Sequence, residues 1–299
     1  MPNDVVTTTD LCKSFGKTEA LSGLSVTIEG HSITGLVGRN GSGKTTLMKI
    51  IAGILNKTSG EVTVFGGQST DCLPILSRLV YTYHNVAYEP ELSLKMILSA
   101  YKTMFKSFDS DFANKLMRYF ELGPKTKYRN LSQGMASIFN FLCALSCRVE
   151  LTMLDEPVLG MDVTVRKAVY DILLRDFSEY PRTFIVSSQF LSEIEGVLSS
   201  LLLIEQGKAV LHSNIDDVRH SAYRIDGSRA AVESFVLGKR VIVKKDSYFS
   251  SFAVVYEPFA KETAESAIER GLSVSSVRAE DLCVYLTRPD KEGELECLW

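Results

Sequence analysis

Short apolar runs alternate with amphipathic stretches along the first 215 residues of the chain. The apolar runs are typical of buried strands, and the amphipathic stretches have apolar residues at helical spacing. The predicted strands are residues 32–38, 60–66, 78–84, 149–155, 183–188 and 200–205, and the clearest predicted helix is residues 43–55. This alternation predicts an α/β domain whose mixed, largely parallel sheet is covered by helices.

A long segment without strand-like runs separates the third and fourth predicted strands. Within it, residues 92–105 and 110–122 have apolar positions at helical spacing, and Ser110 or Asp111 is a candidate N-cap for the second helix. We therefore predict a helical subdomain, about residues 85–148, inserted into the α/β domain.

After about residue 220 the pattern restarts with shorter units. Their order is strand, helix, strand, strand, helix, strand and a last helix, and the first six are arranged as in ferredoxin-like modules. The sequence thus predicts one large domain, residues 1–220, and a small α+β domain, residues 221–299, with an accessory or regulatory role. A ferredoxin-like fold is one interpretation of the small domain.

Composition and charge exclude several classes of protein. The net charge of −3 gives no general attraction to nucleic acid, so we expect no nucleic-acid partner. The N-terminal residues lack the basic start and apolar core of a signal peptide. No apolar run approaches the roughly 18 residues of a membrane span. Any role at a membrane therefore requires a partner chain.

The six cysteines show no metal-binding or redox spacing and are predicted to be reduced thiols. They are Cys12, Cys72, Cys143, Cys147, Cys283 and Cys297. Cys143 and Cys147 lie one helical turn apart, and we interpret them as small apolar residues of a core-facing helix.

The segment GRNGSGKTT fits the phosphate-loop pattern G-x-x-x-x-G-K-[ST] and lies between a predicted strand and a predicted helix. Glycines let backbone N–H groups surround a polyphosphate, and the positive end of the helix faces it. An incidental glycine-rich turn is the alternative, which the flanking strand and helix disfavour. The predicted nucleotide-binding residues here are Gly38, Arg39, Asn40, Gly41, Ser42, Gly43, Lys44, Thr45 and Thr46. Lys44 is expected to reach the β- and γ-phosphates, and Thr45 to bind Mg²⁺.

The segment LTMLDEP places two acidic residues at the end of an apolar strand. Asp155 can hold Mg²⁺ beside the phosphate loop, and Glu156 can polarise a water molecule that attacks the γ-phosphate. Two adjacent acidic residues also occur at strand ends by chance. Their combination with a phosphate loop favours the catalytic interpretation.

The segment NLSQGMASIFNFLCAL, which precedes LTMLDEP, completes a resemblance to the ATP-binding subunits of ABC transporters. It is similar to the family signature, usually written LSGGQ. The departures Gln133 and Met135 resemble the letters of bacterial exporter subunits. The resemblance covers about residues 5–215, and the motifs occur in the family's order. It implies ATP and Mg²⁺ as cofactors.

The resemblance also implies roles for residues outside the phosphate loop. Ser132 and Gly134 of one subunit would contact the γ-phosphate that a second copy holds. Phe15 would stack on adenine, although a core phenylalanine is the alternative. Asp162 would lie in the loop that crosses the dimer interface, and it can also cap the helix that follows.

Two catalytic positions are exchanged relative to the family pattern. Where this chain has Gln189, the family normally has a histidine that contacts the γ-phosphate. Where the family has a glutamine that senses Mg²⁺ and the attacking water, this chain has His84. The resemblance assigns both residues to the catalytic site and His84 also to the metal. A structural histidine is the alternative.

The leading hypothesis is an ATP-hydrolysing subunit at the cytoplasmic face of the cell membrane. It would form a homodimer around MgATP and drive a separate membrane subunit that exports a substrate such as a peptide or antimicrobial. One alternative is a degenerate cassette that binds ATP as a switch, which Gln189 favours and Glu156 disfavours. A soluble, non-transport ABC ATPase is the other. The sequence does not identify the substrate.

Overall fold

The computed structural model describes residues 4–83, 86, 88–246, 250–259 and 261–287. The chain forms two compact units, the first extending to His212 and the second starting at Ser213. The boundary predicted near residue 220 therefore lies within the second unit, at the end of a short helix, Ile215–His220.

The first unit contains the strands and helices around the predicted phosphate loop. Its strands are β1 (Asp4–Phe15), β2 (Thr18–Glu29), β3 (Ile33–Val37), β4 (Ser59–Val64), β5 (Leu79–Tyr83), β6 (Leu151–Asp155), β7 (Thr183–Ser188) and β8 (Ser200–Glu205), and β9 (Lys208–Asn214) starts in it. Its helices are α1 (Lys44–Ile51), α2 (Leu73–Leu76), α3 (Leu94–Met104), α4 (Ser110–Tyr119), α5 (Gln133–Ser146), α6 (Val163–Glu179) and α7 (Leu191–Ile194).

The main sheet has the order β5-β6-β7-β3-β8-β9. The four pairings from β5 to β8 are parallel, which confirms the predicted largely parallel sheet. Every residue of β3, β6 and β7 is buried, as expected for central strands covered on both faces. Because these strands are parallel, their carboxyl ends meet at one edge of the sheet, where ligands bind in folds of this kind. We call this the carboxyl edge.

A second sheet, β2-β1-β4, is antiparallel, and its first two strands were not predicted from the sequence. The register of β1 shifts between Thr8 and Leu11, and Asp10 between them has φ 45°. Such a bulge interrupts the alternation of inward and outward side chains by which strands are found in sequences.

The predicted helical insertion consists of α3, α4 and α5. The prediction of Ser110 or Asp111 as the cap of α4 is wrong, because the carboxylate of Asp109 accepts the bond from Phe112 N at 2.9 Å. Ser110 is the first helical residue, so the N-cap is the residue before it. The free N–H groups of the first turn require an acceptor at that position, and Asp109 provides it.

Cys143 and Cys147 are buried free thiols, as predicted. Burial raises the pKa of both groups, so neither forms a thiolate readily. The Cys147 thiol donates to the carbonyl of Cys143 at 3.2 Å. Their contribution is to the packing of α5.

The second unit has the order of elements predicted from the sequence. After α8 (Ile215–His220) come β10 (Tyr223–Gly227), α9 (Arg229–Val236), β11 (Val241–Asp246), β12 (Ser251–Val255), α10 (Lys261–Glu269), β13 (Ser273–Ser276) and α11 (Ala279–Thr287). The sheet order is β11-β12-β10-β13, and every neighbouring pair is antiparallel. Tyr223, Ile225, Val232 and Phe235 belong to its own apolar core. No helix in the described part of the chain is long and apolar enough to cross a membrane.

Candidate functional site

The phosphate loop connects the buried strand β3 to α1, which is the context the sequence predicted. Gly43 precedes the helix with φ 113°, a conformation that favours glycine. A Cβ at this position would lie 2.6 Å from the carbonyl oxygen of Ala20 and 2.8 Å from Leu21 Cδ2. Because only glycine fits both the backbone angle and the space, the loop can pass this close to β2 and still start α1 at Lys44.

Lys44 is buried at the start of α1, and its ammonium is bonded to the loop itself. Nζ donates to the carbonyl oxygens of Gly38 at 2.7 Å and Arg39 at 3.2 Å. Burial lowers the pKa of Lys44, while the nearby carboxylates of Glu156, Asp155 and Glu205 act in the opposite direction. A polyphosphate bound in the loop would supply the negative charge that offsets this desolvation.

Asp155 closes β6 at the carboxyl edge, and three hydroxyl groups fix its carboxylate. Thr45 and Tyr81 donate to Oδ2 at 2.7 and 3.0 Å, and Ser187 donates to Oδ1 at 2.5 Å. Oxygen ligands from one carboxylate and one hydroxyl suit Mg²⁺, which takes its other ligands from phosphates and water. Asp155 and Thr45 therefore fit the predicted metal-binding pair.

Glu156, the predicted base, follows Asp155 with φ 50°, a strained conformation for a residue with a side chain. Its backbone N–H donates to Ser187 Oγ at 2.9 Å, which holds the turn in place. Burial raises the pKa of its carboxyl group, and Lys44 partly offsets this shift. Lys44, Asp155 and Glu156 thus lie close enough to influence one another, as required of a phosphoryl-transfer site.

The signature segment caps α5 at the surface. Ser132 is exposed, and its hydroxyl accepts the bond from Met135 N at 3.3 Å, so Ser132 is the N-cap of α5. A Cβ on Gly134 would lie 2.7 Å from the carbonyl oxygen of Gly160, and Ser137 Oγ donates to Leu159 O at 3.0 Å. The signature therefore packs on the loop that follows Glu156.

Asp162 is exposed and caps α6, accepting the bond from Val165 N at 3.0 Å, as predicted. Arg166, one turn into α6, donates to Met161 O at 2.9 Å and forms an ion pair with Glu193 of α7. Sequence reasoning did not identify this pair, which connects the loop before α6 with the segment after β7.

Phe15 is at the end of β1 with 50% of its surface exposed, so it is not a core phenylalanine. The ammonium of Lys13 lies 4.9 Å from the centre of its ring. An exposed ring of this kind is available for stacking on a base.

Gln189 is half-buried directly after β7, at the carboxyl edge. His84 lies outside the described residues, so its assignment stays a prediction.

The structure brings four of the predicted residues together through hydrogen bonds and charge. Lys44, Thr45, Asp155 and Glu156 form one cluster. No hydrogen bond or ion pair within the described ranges connects Ser132, Gly134 or Asp162 to it. Sequence reasoning missed Tyr81, Ser187 and Glu205, which contact or face the cluster. No local sequence signal identifies Ser187, because its position beside Asp155 depends on the register in which β6 and β7 pair.

Comparison of the sequence with models of protein families identifies a match. Residues 21–159 match the model of the family described as ABC transporter. The matched region begins in β2, includes the phosphate loop, the signature and the Asp155–Glu156 pair, and ends shortly before Asp162.

Similar proteins and structures agree with this match. The ABC transporter ATP-binding protein YtrB of Bacillus subtilis is 26% identical over 72% of this chain and 74% of its own length. The bacitracin transport ATP-binding protein BcrA of Bacillus licheniformis is 27% identical over 72% and 71%. A solved ATP-binding subunit of an ABC transporter superposes with a TM-score of 0.63 at 20% identity, covering 72% of this chain and 92% of that one. Other relatives include proteins named for sugar import and for drug resistance, so these likenesses do not separate import from export.

Proposed function

We propose that this chain is an ATP-binding cassette subunit of the ABC transporter family and that it pairs with a second copy of itself around two molecules of MgATP. Members of the family hydrolyse ATP to power transport. The observation that carries the proposal is the cluster at the carboxyl edge, where Thr45 donates to the buried Asp155 and Glu156 lies beside the buried Lys44. The dimer would act on a membrane subunit at the cytoplasmic face of the membrane.

Each residue of the cluster has a distinct task in this proposal. Lys44 exchanges its carbonyl partners for the β- and γ-phosphate oxygens. Thr45 and Asp155 hold Mg²⁺, which when bound neutralises phosphate charge. Glu156 orients the attacking water and accepts its proton. Gln189 donates a hydrogen bond to the γ-phosphate through its amide, without the capacity to become cationic.

The second copy is required because the exposed half of the site is separate from the cluster. Ser132 and Asp162 are both exposed N-caps, and α5 presents its positive end beside Ser132. One chain therefore supplies a nucleotide cluster and a separate anion-binding helix end. Pairing two chains head to tail would place each helix end on the γ-phosphate of the other chain.

The Glu156→Gln variant tests this proposal. It keeps the shape of the side chain and removes the carboxylate, so ATP should still bind while hydrolysis falls by about 100-fold or more. Size-exclusion chromatography with MgATP should then show a stable dimer. A Glu156→Gln chain that hydrolyses ATP at the wild-type rate would show that another group acts as the base.

We propose export over import on the signature letters alone, since the relatives include proteins named both for sugar import and for drug resistance. The second candidate function, an ATP-dependent switch with little hydrolysis, is favoured by Gln189 in place of a histidine. Single-turnover hydrolysis separates these functions, because a switch would keep its ATP intact over many minutes.

For the second unit we propose a ferredoxin-like module that steadies the dimer or regulates turnover. The proposal is supported by the element order and by the antiparallel order β11-β12-β10-β13. None of the matched motifs lies in this unit.

A further inference from the structure

A buried group of charged residues lies at the far ends of three elements of the first unit. Ser132 is at the start of α5, and Arg148 follows its end. Asp162 is at the start of α6, and Asp176 is near its end. Arg182 precedes β7, whose other end leads to Gln189. At about 1.5 Å per helical residue and about 3.3 Å per strand residue, α5 and β7 span roughly 20 Å and α6 roughly 25 Å.

Asp176 is the centre of this group. Its side chain is 2% exposed and accepts bonds from both arginines, from Arg148 Nη1 on Oδ1 and from Arg182 Nη2 on Oδ2 at 2.6 Å. Arg182 Nη2 also donates to the carbonyl oxygen of Leu145 in α5 at 3.1 Å. We call Arg148, Asp176 and Arg182 the anchor triad, because their bonds join α5, α6 and β7 directly.

Arg148 contacts two aromatic rings and a second carboxylate besides Asp176. Its guanidinium lies 4.3 Å from the ring centre of Phe112 and 4.0 Å from that of Tyr180, and Nη2 is 3.5 Å from Asp109 Oδ2. Its backbone has φ 51°, which is strained for a residue with a side chain. The rest of the fold therefore fixes this residue in one place, and through Asp109 it also fixes the start of α4.

Stability alone does not explain such a group. Removing charges from water costs free energy that the pairing only partly returns, and apolar side chains of similar volume often stabilise a protein as well or better. Burial lowers the pKa of Arg182, with Asp176 acting in the opposite direction, which is the signature of that cost. The planar guanidinium groups fix both the distance and the angle of their hydrogen bonds to the carboxylate. Apolar packing has no such directional preference.

We propose that the anchor triad consists of positioning residues for the composite ATP site. It sets the lengthwise positions of α5, α6 and β7 relative to one another, and thereby the places that Ser132, Asp162 and Gln189 occupy around the γ-phosphate. The inference rests on the proposed function, since it concerns the site that two copies complete.

Among the contacts of the described residues, none joins the triad to the phosphate loop. The loop is held between β3 and α1 instead. Binding of ATP to a single chain should therefore be independent of the triad. Closure of the dimer and the rate of hydrolysis should depend on it, because a displacement of about 1 Å at a catalytic contact can cost about 100-fold in rate.

The test uses the full chain with and without Glu156→Gln. Two changes alter the triad: Asp176→Asn, and the combined change Arg148→Met, Asp176→Leu and Arg182→Met, which removes all three charges while filling the space. Asp171→Asn, on an exposed position of the same helix, is the matched control. Circular dichroism and thermal unfolding report folding, and binding of a fluorescent ATP analogue reports the phosphate loop.

We expect both altered chains to bind the analogue within about twofold of wild type, with kcat reduced about 10- to 100-fold at an unchanged KM. In the Glu156→Gln background their MgATP-dependent dimer should be lost, whereas Asp171→Asn should leave dimer and kcat unchanged. A chain with all three charges replaced that folds, dimerises and turns over like wild type would overturn the proposal.

The design separates this inference from the function on which it rests. If the Glu156→Gln parent itself fails to dimerise, the proposed function is wrong, and the inference is wrong with it. If Asp176→Asn does not fold, Arg182→Lys decides, because it keeps the charge and loses the guanidinium geometry. A reduced kcat at unchanged KM in Arg182→Lys supports positioning, and wild-type kinetics contradict it.

Discussion

The two edges of the main sheet each contain buried charges, and they differ in what those charges contact. At the carboxyl edge, the described hydrogen bonds of the Lys44 ammonium go to backbone carbonyls, although Asp155 and Glu156 are near. At the opposite edge, where the parallel strands begin and which we call the amino edge, Arg148 and Arg182 bond directly to Asp176. In the first arrangement the ammonium of Lys44 remains able to bind an anionic ligand. In the second, the arginines and Asp176 are paired with one another within the protein.

Buried charges thus have two different roles in this fold: some bind a ligand, and others fix the positions of helices and strands. A cation whose partners are weak carbonyl groups can exchange them for phosphate at small cost. A carboxylate that two guanidinium groups hold cannot exchange anything without breaking the fold around it. Substitutions at the two edges should therefore change different measurements.

The largest expected effect is at the carboxyl edge. Lys44→Ala removes the cation that offsets phosphate charge, so ATP turnover should fall by about 100- to 1,000-fold. Lys49→Ala, one turn along α1, is the matched control and should stay near wild type. The ATPase rate of purified chain provides the measurement, and wild-type turnover in Lys44→Ala would remove the phosphate-loop assignment.

Asp155→Asn should sharpen the contrast with Asp176→Asn. The amide keeps the size of the side chain but binds Mg²⁺ weakly, so half-maximal ATPase activity should require about tenfold more Mg²⁺. Asp176→Asn should lower the rate without moving the Mg²⁺ requirement. Mg²⁺ titrations of both variants check this, and equal shifts in the two would contradict the division between the edges.

Gln189 and His84 test whether the carboxyl edge works with exchanged residues. His84→Gln should lower the ATPase rate by about tenfold, because it removes the imidazole that can carry a proton. Gln189→Ala should lower the rate by less. The double exchange His84→Gln with Gln189→His should recover activity beyond the sum of the single changes. Strictly additive rates in this cycle would show that the two positions act independently.

The smallest expected effect concerns the second unit, which contributes none of the charged residues discussed at the two edges. A chain that ends at His212 should bind the fluorescent ATP analogue within about twofold of the full chain, since the cluster lies entirely in the first unit. The full chain serves as the control. A folded truncated chain that cannot bind the analogue would show that the second unit takes part in nucleotide binding.

The two edges also differ in how far the sequence predicts them. The phosphate loop and the Asp155–Glu156 pair follow local rules, since each is set by a few neighbouring residues between a strand and a helix. Tyr81 and Ser187 were missed because they lie inside strands that read as core. The pairing register places Ser187 opposite Asp155, whereas Tyr81 lies opposite Met153 and reaches Asp155 through its long side chain, whose hydroxyl is 3.0 Å from Oδ2.

No local rule identifies the anchor triad. Arg148 and Arg182 are adjacent to elements whose ends are the least certain part of any sequence prediction, and Asp176 occurs among charged residues that read as a solvent-facing helix surface. Their contact depends on where α5, α6 and β7 end in space. For the same reason the bulge at Asp10 concealed β1, since a local pattern does not encode a register shift.

The central claim is that the site is completed only when two chains meet, and Ser132 tests it most directly. In the Glu156→Gln background, Ser132→Asp keeps an N-cap acceptor and places a carboxylate at the exposed helix end, where it should repel the γ-phosphate of the other chain. Size-exclusion chromatography with and without MgATP gives the measurement, with binding of the fluorescent analogue as the control. The account predicts a MgATP-dependent dimer for Glu156→Gln and a monomer for the double variant, with equal binding of the analogue. A double variant that dimerises like its parent would contradict it.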